Sequence, residues 1–155
     1  MPEDQTLQST DTGDYFSLGD LLQLGSMSGA RLLAGEAGLS SRVSRTNVVE
    51  SADLSAWAEA DDVLLSSGYA FRNNSEALLA QIPELHRGGA AALCLKPCRS
   101  GQRLPDSVVR QAEELGFPLL ELPMTAVFAN IVQESMEEIL AKKVLSFREI
   151  GRAHV

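Results

Sequence analysis

Between Thr46 and Gly68 the chain reads TNVVESADLSAWAEADDVLLSSG: two short apolar runs, Val48-Val49 and Val63-Leu64-Leu65, joined by an acidic connection and closed by Ser66-Ser67-Gly68. Apolar runs without polar alternation belong to strands covered on both faces, the situation inside a parallel α/β sheet. In such sheets ligands bind beyond the carboxyl ends of the strands. Small hydroxyl residues and a glycine at that edge therefore point to a pocket and not to a catalytic apparatus.

The rest of the chain supplies partners for these strands. Residues 1–15 are polar, lack periodicity and read as a disordered tail. Ser17 and Asp20 form an S-x-x-D capping signature ahead of Leu18, Leu21, Leu22 and Leu24, a short helix ended by Gly25. A strand over 31–34 leads into the turn Gly35-Glu36-Ala37-Gly38, and a second strand covers 42–49. GEAG lacks the spacing and the following Lys-Ser/Thr of a phosphate-binding loop. Residues 53–59 suggest one helical turn in which Trp57, the single tryptophan, packs down as a lid.

Residues 62–66 read as a central strand. Asn74 or Ser75 then caps a helix carrying Leu78, Leu79, Ile82 and Leu85, bent or interrupted near Pro83 and stopped by Gly88-Gly89. A strand over 91–96 precedes a helix capped by Asp106 and ended by Gly116, and 118–122 form the last strand. A long helix begins at Thr125, with Phe128, Val132, Met136, Leu140 and Val144 at successive fourths. This alternation predicts an α/β fold: a small three-layer domain over 16–140 with a largely parallel sheet of about five strands. Residues 141–155 read as a helical extension or linker.

Composition limits what such a domain does. The formal net charge of −8 argues against a grip on a phosphate backbone by these residues alone. No run is long and apolar enough to cross a bilayer, and the amino terminus is polar and acidic where a secretory signal is basic and then apolar, so a cytoplasmic location is expected. Cys94 and Cys98 lack further ligands at metal-binding spacing and read as a strand thiol and a loop thiol, both reduced. No metal and no cofactor are expected. Neither Ser66 nor Ser67 has an evident imidazole partner in His86 or His154, and the acid pairs Asp61-Asp62 and Glu113-Glu114 read as solvated, so the chain is not expected to be an enzyme.

Four pieces in order, FSLGDLL at 16–22, RLLAGEAGLSSRV at 31–43, the stretch from Thr46 to Gly68, and AALCLKP followed by LPDSVVRQAEELGFPLLELP, resemble the amino-terminal domain of the PucR family of bacterial transcriptional regulators. The resemblance covers roughly residues 16–139. It departs at Asn47, where the family frequently has histidine, at Ala60-Asp61, for Gly-Gly, and at Ser66-Ser67, for Thr-Thr. The hydroxyls are kept, and any role for an imidazole at Asn47 is lost. A fold-level likeness to the amino-terminal domains of HPr kinase/phosphorylase and, more distantly, of Mur ligases supports the three-layer reading and implies no activity.

The resemblance implies a sensory or regulatory domain of a transcriptional regulator, which reaches DNA only through a helix-turn-helix absent from these residues. Within it the strand ends gather Glu50, Ser66, Ser67, Gly68 and Lys96 on one rim, expected to bind a small polar metabolite from purine catabolism or nitrogen metabolism. Lys96, Arg99 and Arg103 form the densest positive cluster. The alternative is a structural module that docks or dimerises without a ligand. The apolar residues Leu145, Phe147 and Ile150 near the end of the last helix suggest a homodimer formed through it.

Overall fold

A computed structural model describes residues 14–153, with side chains to Phe147. The expected tail therefore lies, except for Asp14 and Tyr15, outside the described residues. Tyr15 already belongs to the body: its hydroxyl donates to the Ser40 carbonyl at 2.7 Å and its ring lies 4.6 Å from the Arg42 guanidinium.

Five strands form one sheet: β1 (Arg31–Ala34), β2 (Arg45–Val48), β3 (Asp62–Ser66), β4 (Ala92–Leu95) and β5 (Leu119–Glu121). Their spatial order is β1-β5-β4-β3-β2. The pairs β2/β3, β3/β4 and β4/β5 are parallel, and β1 is an antiparallel edge on β5. Among the described residues four α-helices accompany them: α1 (Leu18–Leu22), α2 (Ser75–Arg87), α3 (Asp106–Leu115) and α4 (Phe128–Ala153). The largely parallel α/β sheet read from the apolar runs is thus present. β3 is interior, although β4 holds the middle position.

The period-two alternation of the strands divides the core into two. Val63, Leu65, Ala92, Cys94 and Leu120 face one side, where Leu18 and Leu21 of α1 and Ile131 and Ile139 of α4 cover them. Leu64, Leu93, Leu95 and Leu119 face the other, against Leu78, Ile82 and Leu85 of α2 and Val108 and Ala112 of α3. The parallel strands follow one another in the sheet in chain order, so right-handed crossovers place α2 and α3 on the same face. Both helices consequently begin at the carboxyl edge of the sheet.

Several local expectations need correction. β2 is shorter than 42–49, because Arg42 makes only an isolated antiparallel bridge to Ser17. The helix after Ser17 stops at Leu22, and a separate 3-10 turn covers Gly25–Met27. Its capping box is present, with Ser17 Oγ accepting from Asp20 N and Asp20 Oδ2 from Ser17 N. Asn74 caps α2 by accepting from Ala77 N at 3.1 Å. Pro83 does not interrupt α2, since Ile82 and Leu85, buried on either side, hold the helix to the sheet through it. Asp106 is the first residue of α3 and not its cap; Pro105 takes the cap position without a side-chain bond.

The last helix begins at Phe128, three residues later than expected, and runs unbroken through Ala153. Its buried positions are Ile131, Ser135 and Ile139, whereas Met136, Leu140 and Val144 are exposed. Packing on the sheet thus ends at Ile139 among the described residues.

The GEAG segment is a structural turn. Gly35 is left-handed at φ 81°, and a Cβ there would lie 2.3 Å from the Phe117 carbonyl carbon. Its N–H donates to Glu113 Oε1 at 2.9 Å, which ties the β1–β2 turn to the last turn of the helix Asp106–Leu115. Gly35→Ala combines left-handed strain with a backbone clash and is expected to lower unfolding free energy by about 3 kcal/mol. Urea denaturation measures this; an unchanged midpoint would contradict the turn's role.

Candidate functional site

The carboxyl ends of β3, β4 and β5 open onto a cleft of about 310 Å³. Ser67 and Gly68 form one wall, continued by Phe71 and the start of α2 at Asn74 and Ser75. Lys96 and Pro97 stand at the end of β4, Glu121 at the end of β5, and Gln102, Arg103, Leu104 and Pro105 close the opposite side. The amino termini of α2 and α3 both flank this space. Helix starts present unpaired N–H groups and a partial positive charge. With Lys96, Arg103 and Arg72 on the lining and Glu121 the one acidic residue among the lining residues, the cleft suits a polar, electron-rich ligand.

Of the five rim residues read from the sequence, Ser67, Gly68 and Lys96 line the cleft, and Ser66 and Glu50 do not. The parallel register explains where Glu50 goes. Arg45 pairs with Asp62 and Val48 with Leu65, so Glu50 falls opposite Ser67. Its carboxylate accepts from Ser66 Oγ at 3.0 Å, from Ser67 N at 2.9 Å and from Ser67 Oγ at 3.0 Å. Each hydroxyl also accepts from the backbone ahead of it: Ser66 Oγ from Gly68 N and Ser67 Oγ from Tyr69 N, both at 3.1 Å. Glu50 is therefore a bracket across the β3 turn, and the two serines are engaged in building the wall. Gly68 completes that turn in a left-handed conformation at φ 73°.

Lys96 reaches away from Glu50. Its Nζ donates to the Ala126 carbonyl at 2.5 Å and lies 5.9 Å from the centre of the Phe128 ring, tying β4 to the approach of α4. Of the positive cluster, Lys96 and Arg103 line the cleft and Arg99 does not. Glu121 is ion-paired with Arg31. Arg72 lies over the Tyr69 ring at 3.8 Å and donates to the Tyr69 carbonyl at 2.8 Å.

A second polar centre lies at the opposite end of β3. Asp62, expected to be a solvated acid, is 1% exposed. Its carboxylate accepts from Arg45 Nε at 2.7 Å and Nη2 at 3.1 Å, from Glu59 N at 2.8 Å and from Asn47 Nδ2 at 3.3 Å. This bond to Asp62 raises the Arg45 pKa further above its usual value. Asn47 thus acts as a second donor beside the arginine, and its amide also donates to the Trp57 carbonyl at 2.9 Å. Trp57 is not packed down as a lid: it is 63% exposed at the end of a 3-10 turn, Ser55–Trp57. Its backbone is used, and its ring is left at the surface.

The thiols occupy different environments. Cys94 is buried in β4, and burial pushes its pKa up to about 12. Cys98 is exposed, with Sγ 3.3 Å from the Ser67 carbonyl. Among the described residues no group of three or more His, Cys, Asp or Glu is arranged to hold a metal ion. His86 sits in the last turn of α2, roughly 16 Å along the helix from the cleft, and its ring meets Phe117 edge-on at 6.1 Å. His154 lies outside the described residues.

Residues 20–139 match the model of the purine catabolism regulatory protein-like family. The chain belongs to this family. A curated relative, the purine catabolism regulatory protein of Bacillus subtilis (strain 168), is 24% identical over 135 residues, covering 87% of this chain and 25% of that protein. The chain therefore spans about a quarter of that relative's length. No solved structure matches it. No helix among the described residues is long and apolar enough to cross a membrane.

Replacing Asp62 by alanine removes the acceptor of four donors and leaves the Arg45 guanidinium without its buried partner. Arg45 is itself half solvated, which moderates the loss, and a destabilisation of about 2–3 kcal/mol is expected. Chemical denaturation of Asp62→Ala against the parent chain checks it; a change below about 0.5 kcal/mol would show the centre to be dispensable.

Proposed function

We propose that this chain is a non-catalytic sensing domain of a transcriptional regulator, and that its cleft at the ends of β3, β4 and β5 binds a small, polar, anionic metabolite. The supporting observation is the convergence of two helix starts with Lys96 and Arg103 around an open space of about 310 Å³. In this reading Ser67 and Gly68 present backbone groups to the ligand, Lys96 and Arg103 set its charge, and Glu50 and Ser66 hold the wall in shape. The name of the Bacillus subtilis relative suggests an intermediate of purine breakdown. Contact with DNA falls to a part of the regulator outside these residues.

The absence of catalysis in this reading follows from chemistry. The serine hydroxyls donate to a carboxylate already fixed by a backbone N–H, and the described histidine is at the far end of α2. A nucleophile needs a base free to take its proton, and Glu50 is oriented as a structural acceptor. Signalling instead requires that the ligand favour one arrangement of the domain over another. The loop carrying Arg103 and the turn carrying Gly68 meet at the cleft from different crossovers, so a ligand touching both would bias their relative position.

A second reading, a module that pairs two chains without a small molecule, is favoured by the exposed apolar residues of α4 beyond Ile139.

Calorimetry against a panel of purine-breakdown intermediates tests the sensing reading. At least one is expected to give saturable one-to-one heat. Arg103→Glu, on an exposed side chain, is expected to weaken it about tenfold, or 1.4 kcal/mol, with the fold intact. A panel without saturable heat, or an affinity indifferent to Arg103→Glu, would contradict it.

A further inference from the structure

A second open groove, of about 620 Å³, lies beside β2, and Asn47, Val48, Glu50, Trp57 and Glu59 are among the residues that line it. Trp57 is the chain's single tryptophan and stands 63% exposed, with Val48 at 45% on the same lining. The turn that carries it is fixed. Trp57 N donates to the Leu54 carbonyl at 3.1 Å, the Trp57 carbonyl accepts from Asn47 Nδ2 at 2.9 Å, and Ser55 N donates to Gln81 Oε1 of α2 at 3.1 Å. An indole left in water on a held turn offers its π-face with little further ordering when a ligand settles on it.

Three oxygen acceptors are spread along this groove. Glu59 stands at the Arg45 end with its side chain 77% exposed; its cationic neighbour, Arg45 Nη2 at 3.9 Å, is already bonded to Asp62 at 3.1 Å. Asn47 spends both amide hydrogens, on the Trp57 carbonyl and on Asp62, and its Oδ1 has no partner among the described residues. Glu50 stands at the other end. Its bonds come only from hydroxyl and backbone N–H donors, so its charge has no cationic partner among the described residues. An extended chain separates Arg45 from Glu50 by roughly 16 Å. Because buried Asp62 balances the Arg45 charge, the groove keeps the two negative charges of Glu50 and Glu59.

The sequence of groups is thus a carboxylate, an amide oxygen beside apolar Val48 and the indole, and a second carboxylate. Such a lining repels anions. A compact metal ion would reach one end only and would gain nothing from the apolar middle. A flexible linear molecule with a protonated amine at each end matches the whole length: its ends form charge-assisted hydrogen bonds, its methylenes lie on Val48 and Trp57, and an amine near the indole gains cation–π attraction.

We propose that this groove binds a linear aliphatic polyamine, with terminal ammonium groups on Glu50 and Glu59 and an internal amine at Asn47 Oδ1 beside Trp57. The site is separate from the strand-end cleft and does not rest on the sensing reading. Glu50 also holds the Ser67 wall of that cleft, so the two sites share one carboxylate.

Spermidine is the probe, added to the whole chain at low ionic strength. Trp57 emission reports on this groove alone, since the chain has no other tryptophan, and a saturable one-to-one change is expected. Calorimetry reads the variants. Glu59→Gln, at an exposed carboxylate, should weaken spermidine about fivefold and Trp57→Leu about threefold, with circular dichroism showing an intact domain. Putrescine, a shorter dication without the internal amine, should bind about tenfold more weakly because it cannot reach both carboxylates. Heats unchanged in both variants would show general counter-ion attraction to an acidic chain and overturn the site, as would Trp57 emission indifferent to millimolar spermidine. Putrescine bound as tightly as spermidine would overturn the two-ended arrangement.

Discussion

The burial of β3 and β4 on both faces is the constraint from which the rest follows. Every residue of β3 and β4 is buried, from Asp62 to Ser66 and from Ala92 to Leu95. Strands in that position need cover on each side, and right-handed crossovers between parallel neighbours supply it on one side only. α2 and α3 provide that layer, and α4 together with α1 must provide the other. Because both crossover helices leave from the same sheet edge, their starts converge where the strand backbones also end. The cleft is thus a consequence of how the sheet is covered.

What keeps the cleft open is the way polar groups at the strand ends are satisfied. Glu50 takes four hydrogen bonds from Ser66 and Ser67 across the β2–β3 register. A turn held in this manner has no need to fold inward for partners. At the other end of the same two strands, Asp62 gathers Arg45, Asn47 and the Glu59 amide. One carboxylate at each end of the β2–β3 pair therefore pins the strands, one shaping the rim and the other closing the base. Buried or bracketed charges of this kind cost desolvation and gain fixed geometry when fully bonded.

The strands were legible because continuous apolar runs such as Val63–Leu65 and Ala92–Leu95 have one common structural meaning, and their order predicted the parallel sheet. The helix caps at Ser17 and Asn74 were legible for a similar reason. The α4 face was not, since steps of four residues advance about 40° beyond a full turn. From Phe128 to Val144 the series rotates by roughly 160°, off the core and into solvent. Asp62 was illegible because its partner Arg45 lies in another strand, and an adjacent acid made the pair look solvated. Asp61 beside it adopts φ 68°, a conformation suited to glycine, at one of the two positions where the resemblance drawn from the sequence expects Gly-Gly. Residues near the rim were identified, but sequence alone did not separate Glu50 and Ser66, which build the wall, from Ser67, Gly68 and Lys96, which line the space.

The central claim is that the strand-end cleft is where this domain meets a small molecule. Backbone amide NMR of the chain, titrated with the metabolite panel, locates binding directly. Shifts concentrated at Gly68, Asn74, Ser75 and Leu104, with Trp57 and Phe147 unmoved, are the predicted result. Shifts confined to Trp57 or α4, or none across the panel, would contradict it.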